Sequence, residues 1–181
     1  MWLAEGPESL NIEVHVTSDA NQDSERIVRG AVIHYTDGSW DSSLSWLTAS
    51  DATKVSCHYL IGRDGRMAQL CRIDRVAYHA GKNWDYLNPN KWTVGYELVA
   101  TAADGYTFTE KQYIVLKQHL DWLFQLKGLT KQFPNGDPST CHSKEYWKYW
   151  FLKSNGFIAG HSAFNSNKPD PGKNFDWSRI I

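Results

Sequence analysis

The chain has 181 residues, nine tryptophans and nine tyrosines among them, and a formal net charge of -1. That length fits one domain able to bury a core without covalent staples. The near-zero charge, with no basic tail or charge run, gives a nucleic-acid partner no electrostatic support.

In chain order, MWLAEGPESLNIEV opens the sequence without the cationic and apolar regions of a signal peptide. No apolar run approaches the length of a membrane span. The expectation is a chain made in the cytoplasm with no membrane partner. Residues 1–26 are polar and acidic, with a short alternating piece, NIEVHV. IVRGAVIHYT then reads as a β-rich run ending at His34 before the turn TDGS. DSSLSWLTAS predicts a short helix capped by Asp41 or Ser42. In SCHYLIGRDGRMAQLCRI the pair Asp64–Gly65, flanked by apolar residues, predicts a β-hairpin. Cys57 and Cys71 sit on either side of it and could pair. With Cys141 the count is odd and no CxxC occurs, so a reduced state is the simpler expectation.

Residues 74–92, rich in aromatic and small residues, read as a functional loop. TVGYELVA is a strand by alternation, with Val94, Tyr96 and Leu98 on one face and Gly95, Glu97 and Val99 on the other. The clearest helix follows. Thr109 and Gln112 have capping-box spacing, Tyr113, Leu116, Leu120, Leu123 and Phe124 recur at helical intervals, and Gly128 stands where a closing glycine belongs. Residues 129–139 read as a loop and roughly 141–153 as a second helix. FIAGH then leads into GHSAFNSNKPDPGKNFDW. Strands and helices are mixed without repeats or a linker, which predicts one α/β or α+β domain on a single sheet.

Three residues have the chemistry of a metal site. Catalytic zinc takes three protein ligands and keeps one position open. His34 ends a strand before a turn, His161 follows a glycine, and Asp170 is set between two prolines. A lone histidine is more often structural than ligating, and PDPG alone is more often a rigid turn. The combination alters that balance. Lys168, two residues before Asp170, can face the same side and stabilise an oxyanion. Glu97 is the one carboxylate in an otherwise apolar strand. It reads as an edge or paired residue, or as a general base. His58, His119 and His142 read as structural. No GxSxG elbow supports a serine hydrolase, and a nuclease built on His161 and Asn165 would lack a positive surface.

VIHYT, SCHYLIGRDG, AYHAG, TVGYEL and GHSAFN…KPDPGKNFDW, in that order, resemble the zinc-dependent N-acetylmuramoyl-L-alanine amidases of the type 2 amidase family. The resembling segments run from about 27 to 177, within a single domain over 1–181. The resemblance implies a central mixed β-sheet flanked by helices, with a zinc-containing groove on one side. It implies Zn²⁺ held by His34, His161 and Asp170, with Glu97 assisting the water and Lys168 stabilising the tetrahedral species. It implies a substrate-groove loop at His79, Ala80 and Gly81, with Trp84 beside it. The implied reaction is hydrolysis of the amide between N-acetylmuramic acid and L-alanine in peptidoglycan or a muropeptide, by a monomer.

Three departures bear on this. Cys57 stands where some branches carry a catalytic tyrosine, which favours the glutamate branch. GHSAFNSNK replaces the usual loop after the second histidine. Residues 129–156 are longer than the usual connection, and read as a helical insertion, either over the groove or as extra core. The altered loop and the insertion favour an endolysin, acting on the wall after release from the cytoplasm. The alternatives are a cytosolic recycling amidase acting on anhydro-muropeptides and a non-catalytic peptidoglycan-binding module. The full ligand set argues against the last.

Overall fold

Short β-branched and aromatic runs are interspersed with helices, and their periodicity decides which face each strand shows to which helix. The computed structural model describes residues 3–17, 22–50, 55–81 and 84–181. Its strands are β1 (Ile12–Val14), β2 (Gln22–Glu25), β3 (Gly30–Tyr35), β4 (Tyr59–Ile61), β5 (Met67–Gln69), β6 (Arg75–Ala77), β7 (Thr93–Leu98) and β8 (Phe157–Gly160). The helices are α1 (Trp40–Leu47), α2 (Glu110–Leu126) and α3 (Lys144–Leu152). Six strands form one mixed sheet in the order β1-β5-β4-β7-β3-β8, and β2 pairs with β6 in a small second sheet. Within the large sheet β4 and β5 are antiparallel, whereas β4, β7, β3 and β8 run parallel. This is a single α/β domain with a central mixed sheet flanked by helices.

The two faces of the sheet are covered differently. Ala31, Ile33, Val94, Tyr96 and Leu98 point into one core with α2, which contributes Tyr113, Leu116, Leu120, Leu123 and Phe124. Each Val, Ile, Leu or Phe among them stabilises the fold by about 1.5–3 kcal/mol when taken from water. On the opposite face Val32, Phe157 and Ala159 pack against Trp147, Trp150 and Phe151 of α3. Leu60, Ala68 and Leu70 pack against Trp40 and Leu47 of α1. His34 and Glu97 share the parity of Val32 and Gly95, so they emerge on this second face, between the α1 and α3 packings.

Local chemistry sets the helix ends. Thr109 and Gln112 form a reciprocal capping box, and α2 closes through Lys127 before Gly128. At α1 the cap is Ser39, whose hydroxyl accepts from Ser42 N–H, not Asp41 or Ser42 as expected. At α3 the cap is Ser143, so Cys141 and His142 stay outside the helix, which starts later than residue 141. The expected 74–92 loop contains β6 and two 3-10 turns, at Asp85–Leu87 and Pro89–Lys91; residues 82 and 83 of that loop lie outside the described residues. Asp64 and Gly65 do lie in the turn joining β4 to β5, with Gly65 at φ 88°. All three cysteines are free, and Cys57 and Cys71 are buried.

Candidate metal centre and hydrolytic site

The carboxyl ends of parallel strands are where open α/β sheets gather functional side chains, and the sequence folds to place four of them there. In the β3–β7 register His34 lies directly opposite Glu97. Next to β3 on its other side, β8 ends at Gly160 and hands the chain to a 3-10 turn at His161–Ala163. Ser162 N–H donates to the Asp170 carbonyl at 3.1 Å, tying the PDPG segment to that turn. Gly160 is needed for this approach: a Cβ there would lie 2.7 Å from Pro171 Cδ.

The result is a cluster of buried donors. His34 Nδ1 stands 2.8 Å and His161 Nδ1 3.1 Å from the same Asp170 oxygen, Oδ2. Ligand atoms from these three residues all lie within 4.8 Å of one another. Two nitrogens and a carboxylate oxygen make a donor set of the catalytic-zinc type. They open onto a cavity of about 670 Å³, which Glu97, Lys168 and His79 also line.

Burial tunes the charges. It pulls the His34 imidazole below its ordinary value, opposed by its contact with Asp170. Burial alone would raise the Asp170 carboxyl, but the contacts with His161 and His34 hold it well below the usual carboxylate range. Glu97 is pushed well above that range by burial and then by the charge of Asp170, with Lys168 opposing. Its Oε2 is buried and has no hydrogen-bond partner among the described residues. A carboxyl left this way is costly unless something else occupies the site beside it.

His34, Glu97, His161, Lys168 and Asp170 therefore come together at one cavity. Of the groove-loop residues, His79 and Gly81 line it. Ala80 does not; it is fully buried in the α3-side core. Trp84 packs against that same core. No residue of 129–156 lines the cavity, and α3 contributes Trp147 and Phe151 to the core. His119 and His58 are buried away from the cavity lining, and His142 stacks on Tyr146.

Sequence reading missed Asn90. Its Oδ1 accepts from the backbone N–H groups of His79 (3.2 Å) and Ala80 (2.7 Å), which pins the loop. It also missed Tyr35, which lines the cavity and stacks on Tyr106 with ring centroids 4.4 Å apart. The only sequence signal for Tyr35 was its place directly after His34.

A mixed-sheet α/β domain with a His/His/carboxylate cluster at the ends of its parallel strands defines a class of metal-site hydrolase folds. The chain belongs to the N-acetylmuramoyl-L-alanine amidase family (Amidase_2), which it matches over residues 23–173. It is 29% identical to N-acetylmuramoyl-L-alanine amidase A of Achromobacter lyticus over 150 residues, covering 81% of this chain and 77% of that protein. The crystal structure of a selenomethionine AmpD derivative superposes with a TM-score of 0.66 at 23% identity, covering 99% of this chain and 97% of that one. AmpDh3 from Pseudomonas aeruginosa, solved in complex with an anhydromuramic pentapeptide, gives a TM-score of 0.58 at 25% identity. That match covers 87% of this chain and 60% of AmpDh3, so this chain spans under two thirds of that protein. The family is zinc-dependent in general, and the cluster here can hold a metal ion. Among the described residues no helix is long and apolar enough to cross a membrane.

Proposed function

We propose that the chain is a zinc-dependent peptidoglycan amidase that hydrolyses the amide between the lactyl group of N-acetylmuramic acid and L-alanine. The observation that carries this is the convergence of His34 Nδ1, His161 Nδ1 and Asp170 Oδ2 beside a buried, unpartnered Glu97 oxygen in one open cavity. The donor set suits zinc, which when bound lowers the pKa of a water and polarises a carbonyl. His34, His161 and Asp170 would hold it. Glu97, whose proton affinity is raised by its surroundings, accepts the proton of the attacking water and returns it to the leaving amine. Lys168, on the cavity wall, would stabilise the developing oxyanion with its ammonium. The anhydromuramic pentapeptide held by AmpDh3 supports a muropeptide as the ligand class for this cavity.

The setting we favour is wall lysis by an endolysin-type enzyme, working as a monomer. Its support is the altered loop around the second histidine, GHSAFNSNK. The AmpDh3 complex favours a second setting, in which the substrate is a soluble anhydro-muropeptide. One experiment separates them. Purified sacculi and a soluble anhydro-muropeptide are digested with and without a chelator, and products are read by mass spectrometry. Chelator-sensitive release of L-alanine-headed peptides from either substrate is expected. Preference for sacculi means lysis and preference for the anhydro fragment means recycling. A zinc-loaded protein that cuts neither substrate overturns the amidase reading.

A further inference from the structure

We infer that His79 is a positioning residue that fixes the tautomer of His34 and so aims the bare Nδ1 of His34 at the metal position. The inference rests on His34 being a metal ligand and names what orients it.

The argument starts at the far end of a hydrogen-bond chain. His79 Nε2 lies 3.2 Å from the backbone carbonyl of Thr93. A carbonyl can only accept, so this nitrogen carries the proton. The Thr93 hydroxyl nearby is committed elsewhere, donating to the Pro89 carbonyl at 2.8 Å. The His79 ring is buried, and among the described residues its Nδ1 meets no carboxylate or carbonyl, only His34 Nε2. A neutral ring protonated on Nε2 has a bare Nδ1, which can only accept. That Nδ1 lies 3.1 Å from His34 Nε2. His34 Nε2 must therefore carry the proton and donate. The other nitrogen of His34, Nδ1, is then left with a lone pair facing Asp170 Oδ2 at 2.8 Å. Two acceptors at that separation need a cation between or beside them, which is what the proposed metal supplies.

The arrangement is held from several sides. Asn90 fixes the backbone on either side of the His79–Ala80 peptide. Gly95 leaves room for the ring: a Cβ there would sit 2.5 Å from His79 Cγ. Thr93 and Gly95 belong to β7, the strand that also carries Glu97, so one strand locates the base and, through His79, a ligand. Metal-ligating histidines commonly donate their second N–H to an acceptor that fixes the ring; here the acceptor is another histidine.

The test uses the full chain and Zn²⁺ itself. In His79→Leu the acceptor is gone, and zinc affinity measured by competition with a chromophoric chelator should fall roughly 10–100-fold. In His79→Asn the side-chain oxygen can stand near the place of Nδ1, and affinity should stay within about threefold, well short of that loss. With muropeptide at saturating zinc, any residual defect should appear in kcat and leave KM nearly unchanged. If His79→Leu binds zinc as the wild type does and only KM rises, His79 contacts substrate and the inference fails. Because His79→Leu could unfold, the wild type supplies a second reading. Long-range ¹H–¹⁵N correlation of the zinc-loaded imidazoles should show His34 and His79 both protonated on Nε2. A proton on Nδ1 of His79 overturns the inference. Failure of the wild type to bind zinc would instead overturn the metal reading beneath it.

Discussion

Glu97 separates binding from chemistry at the scale of a single side chain. It lies opposite His34 across the β3–β7 register, close enough to share the cavity yet outside the cluster of ligand atoms. Glu97→Ala should therefore leave zinc content unchanged while lowering turnover by at least roughly a hundredfold, the low end for a lost general base. It should not lower the melting temperature, because it removes a buried oxygen that has no partner among the described residues. Asp170→Ala should behave oppositely, with zinc content collapsing because both histidine nitrogens lose the oxygen they face. Zinc stoichiometry and kcat measured on both variants decide the matter: if Glu97→Ala retains near full rate, another group is the base, and if Asp170→Ala keeps its zinc, the ligand set is wrong. These residues were legible in the sequence because each stood out locally, a carboxylate in an apolar strand or an aspartate between prolines. The contact of His79 with His34 was not. It spans 45 residues and depends on a strand register and on the missing side chain of Gly95, neither of which a local pattern records.

Elements that carry their own signals were readable, and those that depend on their neighbours were less so. The start of α2 was explicit because Thr109 and Gln112 cap it by themselves. At α1, Ser39, Asp41 and Ser42 are all cap-forming residues, and only the extended backbone at Ser39 (φ -70°, ψ 169°) selects one. The same holds for Ser143 at α3. Gln112 also does something the sequence did not announce. Its Nε2 donates to the Val99 carbonyl at 2.9 Å and the Ile61 carbonyl at 3.3 Å, docking α2 onto the ends of β4 and β7. Gln112→Leu keeps the volume and removes both donors and half of the capping box. It should destabilise the fold by about 1–3 kcal/mol, the cost of leaving buried acceptors unsatisfied. Urea unfolding checks this, with a loss under a few tenths of a kcal/mol counting against the docking role. Because α2 is on the face opposite the site, kcat of the folded variant should be unchanged.

The whole molecule carries several buried histidines, and their shared direction makes stability depend on pH. Burial lowers the pKa values of His34, His58, His79 and His119 alike. His119 is the member of the set farthest from the candidate metal chemistry in its contacts: its Nδ1 accepts from the Tyr96 hydroxyl at 2.8 Å and its Nε2 donates to the Glu5 carbonyl at 3.0 Å. Its pKa falls from 6.5 to about 4, through burial first, with the Glu5 bond opposing. Above 6.5 neither the folded nor the unfolded state binds this proton, and the stability is fully present. Between 6.5 and 4 the unfolded chain takes it up and the folded chain refuses it, so stability falls as pH falls. Below 4 both states are protonated and the loss is complete, on the order of 3 kcal/mol at about 1.4 kcal/mol per pH unit. Glu97 acts in the opposite sense, since its raised pKa makes the folded state the better proton binder as pH falls. The comparison that isolates His119 is therefore a difference between two proteins. Urea unfolding of zinc-free wild type and His119→Gln, from pH 7 to pH 4, holds Glu97 and the other histidines common to both. The wild type should lose stability relative to the variant across that window. Parallel profiles would mean that His119 accepts a proton in the folded state and that its two hydrogen bonds do not hold it neutral.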